Sequence, residues 1–274
     1  MQVPGSEWQG RSGQSWAAEW RRTDRSFGML TERLLQRTRD YAFQTVIDVG
    51  CGAGELSLAL ARGRPGADVV GVDISPALVG VASERGAHLP NAAFVVADAA
   101  TWHPGGAPAD LVVSRHGVMF FADPVAAFRN LHACAAPGAG LLFSCFREQA
   151  INPFMTEVAR LLPPPPQSPD PHAPGPFAFA DSERVEAILR DAGWTDIGFE
   201  PFDFAMIVGA GEDPVAEAMA YFQAIGPAGR ARDVLSAEEF ARFQGQLRAL
   251  AQQHFRDGVV ALRASAWIVQ AARG

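Results

Sequence analysis

Short runs of β-branched and aliphatic residues alternate along the chain with longer segments in which apolar residues recur at helical spacing. The first five runs lie at about 45–49, 68–72, 93–97, 111–114 and 140–146. Such short apolar runs are typical of buried strands, and apolar residues at i, i+3, i+4 and i+7 are typical of helices. Alternation of the two predicts an α/β fold with a mostly parallel sheet and helices on both faces.

The ends of the chain depart from this alternation. Residues 1–14 are polar and glycine-containing and predict no regular structure unless they fold over a ligand, whereas Ser15 to Arg39 has a helical pattern. The prolines between 163 and 176 exclude helix and central strand there. Long loops of this kind often act as lids, and an extended linker is the alternative. Two further strands, at 195–204 and 264–272, enclose two amphipathic helices at 213–226 and 236–256.

We therefore divide the chain into four segments. They are an N-terminal helical segment (1–40), a nucleotide-binding core (41–147), a proline-rich loop or lid (148–180), and the rest of the core with a helical cap (181–274, cap at about 212–258).

The turn after the first strand carries the strongest chemical signal. Three glycines, Gly50, Gly52 and Gly54, follow the strand at alternate positions, and a helical pattern begins at once. Glycine lets the backbone bend sharply and approach a ligand closely. The unpaired N–H groups of a helix start face that ligand. A strand, glycine turn and helix in a parallel sheet predict a nucleotide-binding crevice.

Three carboxylates strengthen this prediction. Asp48 lies in the first strand, Asp73 ends the second about 20 residues after the glycine turn, and Asp98 follows the third. Parallel strands deliver their carboxyl ends to one edge of the sheet, where an acid can reach ribose hydroxyls.

The segments IDVGCGAG, GVDIS and VVADAA, in this order and spacing, resemble class I S-adenosylmethionine-dependent methyltransferases, in particular the small-molecule enzymes of ubiquinone and menaquinone biosynthesis. Dehydrogenases usually show G-x-G-x-x-G instead. The resemblance is close from about Thr45 to Arg147. It implies a Rossmann-like sheet of seven strands whose last strand is antiparallel, with the helical cap inserted between strands six and seven.

The resemblance also implies residue roles. Asp73 would bind the ribose hydroxyls, Ile74 one face of the adenine, and Asp98 its amino group, while Asp48 would mainly hold the glycine turn. An N-terminal helix often covers the cofactor in this family, which makes Trp16 and Trp20 candidates for the methionine end. The alternative is that both tryptophans only pack this helix against the sheet. The remaining expected contacts to the cofactor are Gly50, Cys51, Gly52, Gly54, Ala99, Ser114 and Arg115.

The loop after the fourth strand, SRHGVMFF from Ser114 to Phe121, lies beside the transferred methyl group in the resembling family. His116 is the candidate general base because an imidazole titrates near neutral pH. A packed, hydrogen-bonded histidine without a catalytic role is the alternative. Phe120 and Phe121 are candidates for an apolar acceptor wall, and one of them is expected in the core.

Composition excludes several other classes. The net charge of −7 disfavours a nucleic-acid substrate, and all 23 basic residues are arginine, which excludes a Schiff-base lysine and a P-loop lysine. Three cysteines without C-x-x-C spacing favour neither disulfides nor zinc and fit a reducing cytoplasm. We expect no bound metal and, from the lack of long apolar runs, no membrane span.

The sequence thus predicts a methyltransferase that acts on a small molecule at an oxygen, nitrogen or carbon atom. Two alternatives remain open, a protein that binds the cofactor or its demethylated product without turnover, and a nicotinamide-dependent oxidoreductase. The oligomeric state is also open.

Overall fold

One sheet organises the protein. The computed structural model describes residues 5–164 and 170–274, so the predicted proline-rich loop lies partly outside the described residues. The strands are β1 (Thr45–Val49), β2 (Asp68–Asp73), β3 (Ala92–Val96), β4 (Ala109–Arg115), β5 (Ala135–Phe146), β6 (Trp194–Gly209), β7 (Phe255–Arg256) and β8 (Val259–Arg273).

The strand order is β3-β2-β1-β4-β5-β8-β6, and the short β7 pairs with β8. The strands β1 to β5 pair in parallel, whereas β8 runs antiparallel between β5 and β6. The predicted α/β fold, mostly parallel sheet and antiparallel last strand are therefore confirmed, with β7 as an addition. The strands β6 and β8 are longer than the predicted strands at 195–204 and 264–272. They pair with each other over nearly their whole lengths, which extends both.

Helices surround this sheet on both faces. They are α1 (Gly5–Gln9), α2 (Arg11–Ala18), α3 (Trp20–Ser26), α4 (Gly28–Arg37), α5 (Glu55–Gly63), α6 (Pro76–Gly86), α7 (Pro124–Cys134), α8 (Pro153–Arg160), α9 (Ser182–Asp191), α10 (Pro214–Ala224), α11 (Ala231–Val234) and α12 (Ala237–Gln253). The helical cap between β6 and β8 is confirmed as α10 to α12. Residues 5–9 and 11–14, expected to be irregular, are helical.

Local sequence explains where the helices begin. The side chains of Asp123 and Asp213 accept hydrogen bonds from backbone N–H groups in the first turns of α7 and α10, and proline occupies the first position of each helix. Ser236 and Glu239 form a capping box at α12. Each cap satisfies N–H groups that would otherwise lack a partner, which is commonly worth about 1 kcal/mol.

The core lies on both sides of the sheet. Strands β4 and β5 are buried along most of their length, as expected for central strands covered by helices. Their carboxyl ends, together with those of β1 to β3, lie on one edge of the sheet, below α1 to α3 and beside the cap.

Candidate active site

A large cavity of about 540 Å³ opens at this edge of the sheet. Its wall is built from the turns after β1 to β5, from α1 to α3, from α8 and from the end of α10. Most of the residues expected from the sequence line it. These are Trp16, Trp20, Asp48, Gly50, Cys51, Gly52, Asp73, Ile74, Asp98, Ala99, Arg115, His116, Phe120 and Phe121.

The glycine turn has the expected conformation. Gly50 and Gly52 have φ angles of 64° and 55°, in the left-handed region that favours glycine. A Cβ atom on Gly50 would lie 2.7 Å from the Cα of Gly117, so the turn after β1 and the loop after β4 are in backbone contact. The two loops together therefore form the floor of the cavity.

Gly54 and Ser114 are the two expected contacts that lie outside the cavity lining, behind the glycine turn and the loop after β4. Gly54 packs against Ala82 and Phe94 behind the turn, where it precedes α5. The Ser114 hydroxyl donates to the carbonyl of Val49 at 2.7 Å and accepts from the Gly117 N–H at 3.1 Å. Ser114 thus joins the two loops from behind the cavity wall.

Asp73 holds the glycine turn. Its carboxylate accepts hydrogen bonds from the N–H groups of Gly52 and Ser75, each at 2.9 Å. Burial raises the pKa of this carboxyl, and the two hydrogen bonds act in the opposite direction. Each oxygen has a second lone pair, so Asp73 can still accept from hydroxyl groups of a ligand.

Asp48 bonds to α5, and no hydrogen bond from its carboxylate to the glycine turn is found among the described residues. One of its oxygens accepts from the Ser57 hydroxyl of α5 at 2.6 Å, and the other is buried without a hydrogen-bond partner among the described residues. Burial raises the pKa of Asp48 to about 7.

Asp98 lies at the far end of the cavity and is exposed. Its Oδ1 accepts from the N–H of Ala100 at 2.9 Å, which orders the loop after β3. Ala99 is buried beside it, and its carbonyl accepts from Asn130 at 3.0 Å. This end of the cavity offers a carboxylate and an ordered backbone segment, to which a nucleobase can hydrogen-bond.

His116 is buried and stacks on Phe146, with 4.2 Å between the ring centroids. Its backbone lies at φ 63°, a conformation uncommon outside glycine, asparagine, aspartate and histidine. Its Nδ1 lies 3.3 Å from the Ser144 hydroxyl, and its buried Nε2 has no hydrogen-bond partner among the described residues. Burial, together with the charge of Arg115, lowers the pKa of His116 to about 3. The lowered pKa keeps the imidazole neutral near pH 7 and makes it a weak proton acceptor, and its role as general base stays a prediction.

Aromatic side chains close the cavity from the N-terminal side. Trp8 contacts Trp16 and Phe120 edge to face, with centroid distances of 5.5 and 5.0 Å. Phe121 packs on the core residue Phe128 and is only partly buried. Trp20 lies under the guanidinium of Arg85, 3.8 Å from the ring centroid. Helices α1 to α3 thus form a roof over the glycine turn.

Several lining residues were missed by sequence reasoning. They are Trp8, Arg11, Ser12, Asp24, Phe27, Met119, Asp123, Phe146, Phe154, Met155, Pro176, Tyr221 and Ile225. Most lie on α1 to α3, α8 or α10, whose packing depends on tertiary structure. Trp8 is the exception, because its spacing from Trp16 continues the helical pattern toward the N-terminus.

Neither a metal cluster nor a membrane-spanning helix is found among the described residues. No group of three or more His, Cys, Asp or Glu side chains in this part of the chain is arranged to bind a metal ion. None of its helices is long and apolar enough to cross a membrane.

The strand order, the glycine turn below a cavity and the carboxylates at the ends of β2 and β3 are those of a Rossmann-like class I methyltransferase fold. A model of the family described as "Methyltransferase domain" matches residues 19–201, which is more than half of the chain. The protein belongs to this family.

Two relatives match part of this chain. The chain is 39% identical over 108 residues to a trans-aconitate 2-methyltransferase of Methylobacterium radiotolerans, a match that covers 39% of this chain and 40% of the relative. It is 33% identical over 150 residues to the enzyme of that name from Variovorax paradoxus, covering 54% and 52%. The chain thus spans only about half, or less, of the length of these relatives.

Solved structures agree with the fold. Phosphoethanolamine N-methyltransferase 2 of Haemonchus contortus, in complex with S-adenosyl-L-methionine, superposes with a TM-score of 0.58 at 17% identity, covering 99% of this chain and 60% of the other. The YcgJ protein of Bacillus subtilis gives a TM-score of 0.57 at 16% identity, covering 90% and 97%.

Proposed function

We propose that this protein transfers a methyl group from S-adenosylmethionine to an apolar small molecule, at an oxygen, nitrogen or carbon atom. We infer the acceptor class from the side chains that line the cavity beyond His116, near β5, α8 and the end of α10. The side chains there are mainly apolar or aromatic. They are Phe27, Met119, Phe146, Phe154, Met155, Tyr221 and Ile225.

The residues present fit the cofactor. The left-handed Gly50 and Gly52 have no side chains to block a ligand, Asp73 keeps lone pairs for hydroxyl groups, and one buried oxygen of Asp48 has no hydrogen-bond partner among the described residues. On this proposal Asp73 binds the ribose, Ile74 and Asp98 bind the adenine, and the glycine turn lies along the methionine. Trp16 and Trp20 belong to the roof that covers this part of the cavity.

When bound, S-adenosylmethionine supplies an electrophilic methyl group for in-line displacement. The protein's contribution is then positioning and exclusion of water. The roof of α1 to α3 and Pro176 of the proline-rich segment enclose the cavity. Neutral His116 can hydrogen-bond the acceptor through Nε2, but its low pKa makes it a poor proton acceptor.

A second candidate acceptor follows from the names of the relatives, a tricarboxylate such as trans-aconitate. The charges of the cavity oppose it. Five acidic side chains line the wall, at Asp24, Asp48, Asp73, Asp98 and Asp123. The lining arginines are Arg11, which is exposed and paired with Asp233, and Arg115, which lies 3.6 Å from Asp24. A trianion would lack the several free cationic partners that its burial requires.

Transfer of label from methyl-labelled S-adenosylmethionine tests the proposal directly. Purified protein is incubated with trans-aconitate in one reaction and with cell-extract metabolites in another, and labelled products are separated by polarity. We expect label in apolar products. Efficient methylation of trans-aconitate with no labelled apolar product would overturn the acceptor class.

Two controls separate the remaining functions. Binding of S-adenosylhomocysteine without any labelled product would favour a binding protein without turnover. A fluorescence titration with NADH tests the oxidoreductase, for which the glycine spacing and Asp98 give no support.

A further inference from the structure

Asp24 and Arg115 form a buried ion pair in the cavity wall. Arg115 is among the expected contacts to the cofactor, whereas the sequence assigned no role to Asp24. Asp24 lies on α3 and Arg115 at the end of β4, with 3.6 Å between Oδ1 and Nη2. Their side chains are 14% and 15% exposed. Both residues line the cavity beside the glycine turn.

The hydrogen-bonding capacity of this pair is not used up. The buried Oδ2 of Asp24 lies 2.9 Å from Arg85, but the contact is ionic and the oxygen has no hydrogen-bond partner among the described residues. Arg115 donates to the Thr31 hydroxyl at 2.7 Å through Nη1. A guanidinium has five N–H donors, so others remain for a ligand. A buried carboxylate oxygen without a donor is costly unless a ligand supplies one.

The surrounding charges balance. Arg85 bonds to the carbonyl of Ala53 at 2.6 Å and to Glu55 at 2.7 Å, which ties the cluster to the glycine turn. Asp24 and Glu55 oppose Arg85 and Arg115, so the cluster has two charges of each sign. A ligand group that carries one positive and one negative charge can enter without disturbing this balance, whereas a single added charge would be left uncompensated.

The strand order places this cluster relative to the rest of the cavity. Along the edge, β3 carries Asp98, β2 carries Asp73, β1 carries the glycine turn, and β4 carries Arg115. With adenine at Asp98 and ribose at Asp73, as proposed above, the cofactor continues past the glycine turn toward β4. Its amino-acid end, an ammonium and a carboxylate on one carbon, then reaches the Asp24–Arg115 pair.

We infer that Asp24 and Arg115 bind the amino-acid end of the cofactor, with Asp24 accepting from the α-ammonium and Arg115 donating to the α-carboxylate. This inference rests on the proposed function. It assigns to α3 a contact with the ligand, in addition to its part in the roof.

Two ligands that differ only at this end test the inference. S-Adenosylhomocysteine has the ammonium and carboxylate, and 5′-methylthioadenosine keeps the adenine, ribose and thioether but lacks both. Calorimetry on the wild-type protein should give at least about tenfold tighter binding of S-adenosylhomocysteine, since charge-assisted hydrogen bonds are involved. Equal affinities would overturn the inference without the use of any variant.

The isosteric Asp24→Asn variant tests the acidic partner. We expect it to weaken S-adenosylhomocysteine roughly ten- to hundredfold and to change 5′-methylthioadenosine by less than about threefold. Glu217→Gln is the matched control, because Glu217 pairs with Arg22 and Arg25 outside the cavity wall and loses the same charge. Its affinity for both ligands should equal that of wild type.

Other outcomes are decisive as well. Unchanged binding of S-adenosylhomocysteine by Asp24→Asn, or equal weakening of both ligands, would overturn the inference. If wild-type protein binds neither ligand, the proposed function itself fails, and this result is distinct from a loss of selectivity between the two.

Discussion

A Cβ atom on Gly50 would lie 2.7 Å from the Cα of Gly117, and one on Gly117 would lie 2.8 Å from the Cα of Gly50. The backbones of the two loops therefore meet with no room for a methyl group. Gly50 lies in the glycine turn and Gly117 follows His116, so this contact fixes the distance between the turn after β1 and the loop after β4.

Replacement of Gly117 tests this contact. The added Cβ of Gly117→Ala would also lie 2.5 Å from the carbonyl oxygen of Val49, so one of the loops must move. We expect a loss of about 1–3 kcal/mol of folding free energy and at least about tenfold weaker binding of S-adenosylhomocysteine. Thermal unfolding and calorimetry measure the two effects.

Gly80→Ala provides the control for that substitution. Gly80 is exposed on α6, and a Cβ there meets nothing within 4 Å. Because alanine favours helices over glycine by about 1 kcal/mol, this variant should be as stable as wild type or more so. Normal stability and ligand affinity in Gly117→Ala would show that the contact tolerates a side chain.

Asp73 gives a second prediction, because it connects β2 to the glycine turn. Asp73→Ala removes the acceptor for the N–H groups of Gly52 and Ser75 as well as the proposed ribose contact. We expect binding of S-adenosylhomocysteine to weaken by well over tenfold in calorimetry, since more than one hydrogen bond to a charged group is lost.

Asp68→Ala is the corresponding control at the other end of β2, where the side chain is exposed and outside the cavity wall. It should bind the ligand as wild type does. Unchanged affinity in Asp73→Ala would remove both the tether and the ribose assignment.

The sequence predicted the part of the site that is local in the chain. The glycine turn, Asp73 and Asp98 follow directly from strand ends and turn residues, and the sheet follows from the apolar runs. Asp24, Phe154 and Tyr221 could not be predicted in this way, because a helical residue reaches the cavity only through the packing of its whole helix. The same limit applies to His116, because its burial beside Phe146, which lowers the pKa of the imidazole, depends on tertiary packing.

The protonation of His116 gives a third prediction. Its pKa is about 3 in the folded protein and ordinarily 6.5, so below pH 6.5 the unfolded chain binds a proton that the folded protein does not. His116 should therefore lower stability progressively as the pH falls from about 6.5 toward 3. Above pH 7 it should contribute no pH dependence.

Denaturant unfolding of wild type and His116→Asn across this range measures the effect. Asparagine tolerates the left-handed backbone and does not titrate. Raised carboxyl pKa values, as at Asp24 and Asp48, act in the opposite direction but are present in both proteins, so the difference between the two curves isolates the imidazole. Parallel curves from pH 4 to 7 would contradict the neutral, buried histidine.

The fourth prediction concerns the roof that α1 to α3 form over the glycine turn. Gly13 on α2 packs against the start of α6, and a Cβ there would lie 2.0 Å from the Trp8 carbonyl and 2.3 Å from the Ser75 hydroxyl. Gly13→Ala should therefore displace α1 and α2 and open the roof, while the sheet stays intact. We expect faster dissociation of S-adenosylhomocysteine in stopped-flow fluorescence, with a change in melting temperature of only a few degrees.

A substitution elsewhere in the N-terminal helices separates this effect from a general loss of helix packing. Gly28 begins α4 and is exposed, and a Cβ there would meet nothing within 4 Å, so Gly28→Ala should leave the dissociation rate unchanged. If Gly13→Ala released the ligand no faster than Gly28→Ala, then α1 and α2 would cover the cavity without retaining what it binds. The retention would then have to come from the contacts at the sheet edge, with Asp73 and Asp24 foremost.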